Sequence, residues 1–229
     1  MVALPNIAIV FMTYKRTEYA LRTIRAACKY LRYQQELVWY VADDGSPNES
    51  HLRSILDELS TTRCNLAGFH SRKLSYGGSA NKAWTYLSAH GSTPLTFWLE
   101  DDWELNQELD LTPYAQVLID HDEIGMIRMG YLSQYLSGVT LGYNGHLFWR
   151  LDREPTDGAS PVFTGHPSLR HDRYRRAYGQ YPEGLNPGDT ELGYAHAFRV
   201  AQFGPHILWP AMAGQWGWFD HIGEEKSYS

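Results

Sequence analysis

Residues 7 to 46 read IAIVFMTYKRTEYALRTIRAACKYLRYQQELVWYVADDGS. Ile7 to Met12 is an unbroken apolar run, β-branched in its first half, as a strand buried on both faces should be. After the polar turn TYKRT, the apolar positions Ala20, Leu21, Ile24, Ala27, Cys28 and Leu31 recur at helical spacing, with Thr17 as the expected N-cap. Leu37 to Ala42 supplies a second strand, stopped by DDGSPN, which is turn chemistry throughout. A strand, a helix and a second strand in one such stretch form the unit from which parallel sheets with helices on their faces are built.

The unit repeats. Leu52, Ile55, Leu56 and Leu59 mark a second helix with Ser50 as its cap, followed by a strand from Asn65 to His70. A glycine-bearing turn at SYGGS, a helix from about Ser79 to Ala89 and a fourth strand at Leu95 to Leu99 complete the series. The polar clusters TYKR (13–16), DDGS (43–46), YGGSAN (76–81) and EDD (100–102) all follow strands of this one sheet. They should converge on the edge where such sheets bind ligands. The last cluster, within WLEDDWEL (98–105), sets Glu100, Asp101 and Asp102 side by side. Adjacent carboxylates repel, and withdrawing them from water is costly unless cations or donors compensate. Read alone, the cluster is either a solvated turn or a metal site.

The chain has 229 residues, 43% of them hydrophobic, enough for one compact domain with a sizeable core. A net charge of −6 excludes a general electrostatic affinity for nucleic acid or anionic lipid. No apolar stretch approaches the roughly 20 residues of a membrane helix. The composition therefore predicts a soluble, cytoplasmic protein that starts directly with a strand. Cys28 and Cys64 are too few and too far apart in sequence for a disulfide framework or a cysteine zinc site, and Cys28 is expected in the core. Eight Trp and sixteen Tyr suit either a core or flat platforms for sugars and bases. The second half is less regular: a helix or turn over 106–123, a short strand at Ile124 to Met129, and a Gly- and Tyr-rich stretch ending in HLFWR. A loop at 151–161 and a last strand around His206 to Trp209 follow. Repeats, low-complexity segments and a clear linker are absent.

Together these clusters resemble the GT-A nucleotide-sugar glycosyltransferases, most closely the family 2 type, over nearly the whole chain. IAIVFMTYKRTEYALRTI resembles the family's opening strand, Thr-x-x-Arg turn and first helix, and LVWYVADDGSPNES its second strand and Asp-Asp-Gly-Ser turn. YGGSANKAW is similar to its Gly-x-x-x-Asn helix start, with Lys82 where an arginine is common. FWLEDDWEL resembles its Asp-x-Asp metal segment, with Glu100 in place of the first aspartate. HPSLRHDRYRRAYGQYPEGLNPGDTELGYAHAF is similar to its acceptor half, and GWFDHIG to a histidine-bearing tail.

The resemblance implies an α/β fold: a mostly parallel, Rossmann-like sheet flanked by helices, with a smaller mixed sheet on the acceptor side. It implies one catalytic domain over 1–229, with a nucleotide-sugar-binding half over about 1–105 and an acceptor-binding half and tail over about 106–229. The implied activity is metal-dependent, inverting transfer of a sugar from a nucleoside-diphosphate donor, UDP-sugar favoured, to an acceptor hydroxyl. A departing diphosphate gathers negative charge, so Mn²⁺ or Mg²⁺ is expected, with Asp102 and His221 as its protein ligands. Glu100 and Asp101 would face the sugar or ribose, and Asp43 would accept a base N–H. Asp44 would serve the ribose or hold the turn, with Thr13 and Arg16 lining the same pocket. Arg72, Lys73 and Asn81 would reach the diphosphate or sugar, with Gly77 and Gly78 allowing close backbone approach. Asp189 stands at the position of the base that deprotonates the acceptor, where the usual Glu-Asp pair reads Gly188-Asp189, and Glu191 is its substitute. The acceptor stays open between a glycan, a small molecule and a modified DNA base, since RHDRYRR (170–176) is either a phosphate-contacting strip or a solvated helix face. The sequence leaves the oligomeric state open. Two other classes remain: a sugar-nucleotide nucleotidyltransferase, although TYKRTE lacks the glycines of a phosphate loop, and a non-catalytic nucleotide- or sugar-binding module.

Overall fold

The computed structural model describes residues 3–90, 93–130, 138–152, 163–200, 204–211 and 217–223. The first half builds β1 (Ile7–Thr13), α1 (Thr17–Tyr30), β2 (Leu31–Arg32), β3 (Leu37–Asp43), α2 (Glu49–Thr61), β4 (Asn65–Ser71), α3 (Ser75–Ala89) and β5 (Leu95–Glu100). The second half adds β6 (Trp103–Leu105), β7 (Leu109–Asp110), α4 (Thr112–Asp120), β8 (Ile124–Arg128), β9 (Gly138–Tyr143) and β10 (His146–Leu151). It ends with β11 (Ser168–His171), α5 (Asp172–Tyr178), α6 (Pro187–Val200), β12 (His206–Pro210) and β13 (Phe219–His221).

Nine strands form one sheet in the order β4-β3-β1-β5-β11-β8-β12-β10-β9. β4, β3, β1 and β5 run parallel, and from β11 onward the pairing is mixed. The expected acceptor-side strands are therefore continuous with the parallel part, and the separate sheets are two small ones, β13-β6 and β2-β7. Alternate residues of β1 enter different cores: Ile7, Ile9 and Phe11 pack with α1, α2 and α4, while Ala8, Val10 and Met12 pack with α3, α5 and α6. An unbroken apolar run is what burial on both faces requires.

Several boundaries differ from the sequence reading. α2 is capped by Asn48, whose side chain accepts from Ser50 N, rather than by Ser50. α3 begins at Ser75, so SYGGSAN is its first two turns and not a loop. The glycines fit there because a Cβ on Gly77 would lie 1.9 Å from the Pro182 carbonyl oxygen: they let α3 press on the 181–183 segment. Most of the loop expected at 151–161 lies outside the described residues. Among the described residues, no helix is long and apolar enough to cross a membrane.

Topology brings the strand ends together. Thr13 pairs with Asp43, Asp43 with Ser71, and Met12 with Glu100, so β1, β3, β4 and β5 end level. β8 runs antiparallel to β11, and Arg128 pairs with Ser168, so β8 ends and β11 begins at that same edge. β13 pairs with β6 and sets His221 opposite Trp103.

Candidate active site

The EDD segment leaves β5 at this edge and is enclosed by the turn after β1. Asp101 is 1% exposed. Its Oδ2 accepts from Thr13 Oγ1 at 2.8 Å and from Tyr14 N at 3.0 Å, and its Oδ1 accepts from Arg16 Nη2. The other guanidinium nitrogen of Arg16, Nη1, donates to Asp102 Oδ2 at 2.7 Å. One arginine thus bridges two adjacent carboxylates, which resolves the like-charge problem of the sequence without a fully solvated turn. His51, fully buried, supports this arrangement, with Nε2 2.9 Å from Thr13 Oγ1 and Nδ1 2.9 Å from Thr17 Oγ1. Since the Thr13 hydroxyl proton goes to Asp101, His51 must donate from Nε2 and accept at Nδ1; burial, which lowers its pKa, favours that neutral form.

Asp102 meets the chain's tail. His221 Nε2 lies 3.2 Å from Asp102 Oδ2, and Ile222 N donates to the Asp102 carbonyl at 2.8 Å. A Cβ on Gly223 would fall 2.4 Å from Asp102 Oδ2, so only glycine lets the tail wrap so closely. Asp102 Oδ1 is buried and has no hydrogen-bond partner. An orphaned carboxylate oxygen beside an imidazole fits a divalent cation that takes one or two protein ligands and completes its shell with phosphate oxygens and water. Among the described residues no three His, Cys, Asp or Glu side chains converge as a self-sufficient metal group.

Glu100 faces the other way. Its Oε1 accepts from Tyr76 OH at 2.5 Å, and Tyr76 OH accepts in turn from Trp98 Nε1 at 3.2 Å. Glu191, on the second turn of α6, accepts from Gly165 N. A Cβ on Gly165 would lie 2.2 Å from Glu100 Oε1 and 2.8 Å from both Glu191 Oε1 and Tyr76 OH, so the two carboxylates flank this glycine. Behind them two arginines are buried, Arg128 at 1% and Arg170 at 2% exposure. Arg170 stacks on Trp98 with its guanidinium 4.5 Å from the ring and donates to Ser168 Oγ and Tyr181 OH.

The electrostatics grade the four acids. Burial pushes Asp102 up, but the hydrogen bond from His221 and the charge of Arg16 outweigh it and hold the carboxyl below its usual range. Burial raises Asp101 to about 6 against the lowering pull of Arg16. Burial, reinforced by the charges of Asp102 and Glu191, drives Glu100 well above the ordinary range. Burial also raises Glu191, countered by the Gly165 amide and by Arg128 and Arg170.

The other expected residues lie as follows. Asp43 is fully buried and accepts from Ser46 N, Ser46 Oγ and Ser71 Oγ, so it is occupied with its own turn rather than open to a base. Asp44 also holds that turn, accepting from Lys73 Nζ, Leu74 N and Ser79 Oγ. Arg72 is exposed at the rim, its backbone N on Asp43 O, while Lys73 Nζ sits 4.0 Å over the Tyr14 ring. Asn81 does not reach outward: its amide bonds Tyr181 N, Tyr181 O and Glu183 Oε1, and so fixes α3 to the 181–183 segment. Gly78 is buried in the first turns of α3, where a Cβ would lie 3.0 Å from Leu74 Cβ. Asp189 is exposed at the start of α6 and pairs with Asn186, while Glu191 points to Gly165.

RHDRYRR does not form one strip. Arg170 is buried, Arg173 donates to the carbonyls of Leu118, His121 and Ile124, and only Arg175 and Arg176 line a surface cavity with Trp84 and Gln180. His51, Gly165 and Arg128 were not singled out by sequence reasoning, and Tyr76 and Arg170 only as members of YGGSAN and RHDRYRR. The available signal was an arginine inside each of two apolar strands, IGMIR and SLRH, since a buried charge needs a partner. Trp103 makes tilted ring contacts with both His166 and His221 at centroid distances of 4.5 and 4.9 Å, contacts no sequence pattern announces.

No family model and no curated protein matches the chain. Solved structures do. Staphylococcus aureus TarS in complex with UDP-GlcNAc superposes with a TM-score of 0.58 at 14% identity, covering 96% of this chain and 61% of that one. The mannosyltransferase PcManGT from Pyrobaculum calidifontis, in complex with GDP-Man and Mn²⁺, gives 0.57 at 12% identity, covering 91% and 55%. GalNAc-T7 with UDP, GalNAc and Mn²⁺ gives 0.56 at 16% identity, covering 90% and 42%. The chain spans between 36% and 61% of the length of such structures. It has the GT-A fold of these glycosyltransferases.

Proposed function

We propose that the GT-A fold here serves metal-dependent, inverting transfer of a sugar from a nucleoside-diphosphate sugar to an acceptor hydroxyl. The observation that carries this reading is the Asp102 carboxylate at the sheet edge: one oxygen held by Arg16 and His221, the other buried and unpartnered. Asp102 and His221 would hold the cation, which when bound neutralises charge growing on the leaving diphosphate. Mn²⁺ is favoured, since two of the similar structures contain it. Arg16 fixes Asp101 and Asp102 in orientation and adds positive charge on the same side. UDP is the favoured nucleotide, since TarS and GalNAc-T7 bind UDP or a UDP-sugar.

The proton of the acceptor hydroxyl needs a base on the opposite side. Glu191 takes that role, because it faces the site across Gly165 from Glu100 and burial raises its pKa toward the working range of a base. Asp189, the position implied by the family resemblance, is the alternative. Tyr76 donates to Glu100 and orients it at the sugar side. The acceptor class is a glycan or small molecule; the dispersed arginines of RHDRYRR offer a duplex no continuous phosphate track.

The test is thermal stabilisation against a panel of nucleotides and nucleotide sugars with Mn²⁺ or Mg²⁺, followed by product analysis. A rise in melting temperature with a UDP-sugar and Mn²⁺, and release of UDP, are expected. Release of pyrophosphate would assign a nucleotidyltransferase instead, and binding without UDP release in any acceptor mixture would leave a binding module.

A further inference from the structure

Cys28 and Cys64 are 36 positions apart in sequence, yet their Sγ atoms lie 2.7 Å apart. Their separation in sequence argued against a disulfide framework, and the fold nonetheless brings them together, because α1 and α2 pack antiparallel to the strands and both cysteines fall at the sheet edge opposite the candidate site. Cys28 is in the last turns of α1, and Cys64 follows α2 in the turn that enters β4. Both are free and half-buried. The turn is held rigidly: Cys64 N donates to Leu59 O at 2.9 Å, and Thr62 Oγ1 donates to Glu58 O at 2.8 Å while lying 3.4 Å from Cys64 Sγ. A disulfide bond needs sulfurs about 2.05 Å apart with suitably placed Cβ atoms, and pairs already in contact reach it by side-chain rotation.

We propose that Cys28 and Cys64 are a reversible modification site that closes to an intramolecular disulfide with a low-molecular-weight disulfide as oxidant. The two thiols are unequal. Hydrogen bonding from Cys28 draws the Cys64 thiol down to about 7, against burial, whereas the same contact and burial raise Cys28. Cys64 thiolate attacks one sulfur of the oxidant, forming a mixed disulfide and releasing one thiolate. Cys28 gives its proton to water and attacks Cys64 Sγ, expelling the second thiolate. The protein loses two electrons and two protons, and the small disulfide is reduced to two thiols. Closing this loop restricts the unfolded chain and stabilises the fold.

The full chain is incubated with oxidised glutathione, then read by intact mass and free-thiol titration. Wild type should lose both thiols, carry no glutathione and weigh two hydrogens less; dithiothreitol should restore both thiols, and the oxidised form should melt higher. Cys28→Ser should stop at one glutathione adduct on Cys64, and Cys64→Ser should react at least about tenfold more slowly. Retention of both thiols by wild type, or accumulation of the adduct seen in Cys28→Ser, overturns the proposal. Neither readout depends on the glycosyltransferase reading.

Discussion

On the Arg16 side of the site, Asp101 and Asp102 sit among donors: a guanidinium, a hydroxyl, a backbone amide and an imidazole. On the Gly165 side, Glu100 and Glu191 have one hydroxyl and one amide between them, burial raises the pKa of both, and the charge of Glu191 adds to the rise at Glu100. Asp101 and Asp102 are buried, whereas Glu100 and Glu191 are half-buried. What also differs is the density of donors, and it keeps only Asp102 below its usual range, while burial raises Asp101, Glu100 and Glu191. Environments that push acids apart in this way are how one site separates charge stabilisation from proton transfer.

The sharpest way to break that contrast is to neutralise one acid on each side. Glu191→Gln should lower sugar transfer about 1000-fold with little change in melting temperature, while Asp189→Asn should stay near wild type; the reverse pattern would move the base to Asp189. Asp102→Asn should lower turnover about 100-fold and abolish the Mn²⁺-dependent part of donor-induced stabilisation; an unchanged Mn²⁺ response would remove Asp102 from the metal. Arg16→Ala leaves two buried carboxylates without their cation and should cost about 3 kcal/mol in denaturant unfolding.

A subtler effect concerns pH. Asp101 titrates at about 6 in the fold against an ordinary 3.8, so its protonated form favours folding. That contribution is fully present below 3.8 and is lost as pH rises through 6. Asp101→Asn cannot titrate, so the melting temperature of wild type minus that of the variant should fall between about pH 4 and about pH 7. A flat difference would mean that Arg16 controls Asp101 more strongly than burial does.

The parallel half of the sheet was far more legible than the mixed half, for a structural reason. In the parallel part each polar cluster directly follows its own strand, so TYKR, DDGS and EDD could be placed at one edge from hydrophobic runs alone. Gly165 instead precedes an antiparallel strand, and His221 arrives on a three-residue strand paired with β6, more than a hundred residues earlier in the chain. Neither is marked by periodicity. YGGSAN shows the limit within the legible half: its glycines signalled close approach, and the group lying against Gly77 is the Pro182 carbonyl. RHDRYRR shows the same for charge, because three successive environments separate arginines that sequence puts together.

By itself the sequence determined the alternation of buried strands and amphipathic helices, and hence the edge where the polar clusters meet, because burial on two faces demands apolar runs and strand ends demand polar turns. Only the tertiary structure decided which acid keeps its charge, that Arg16 bridges Asp101 and Asp102, that Glu191 rather than Asp189 faces Gly165, and that Cys28 meets Cys64. Those outcomes depend on distances of a few ångströms between residues brought together by strand order, and the free energy of a charge or a thiol is set by such neighbours rather than by its place along the chain.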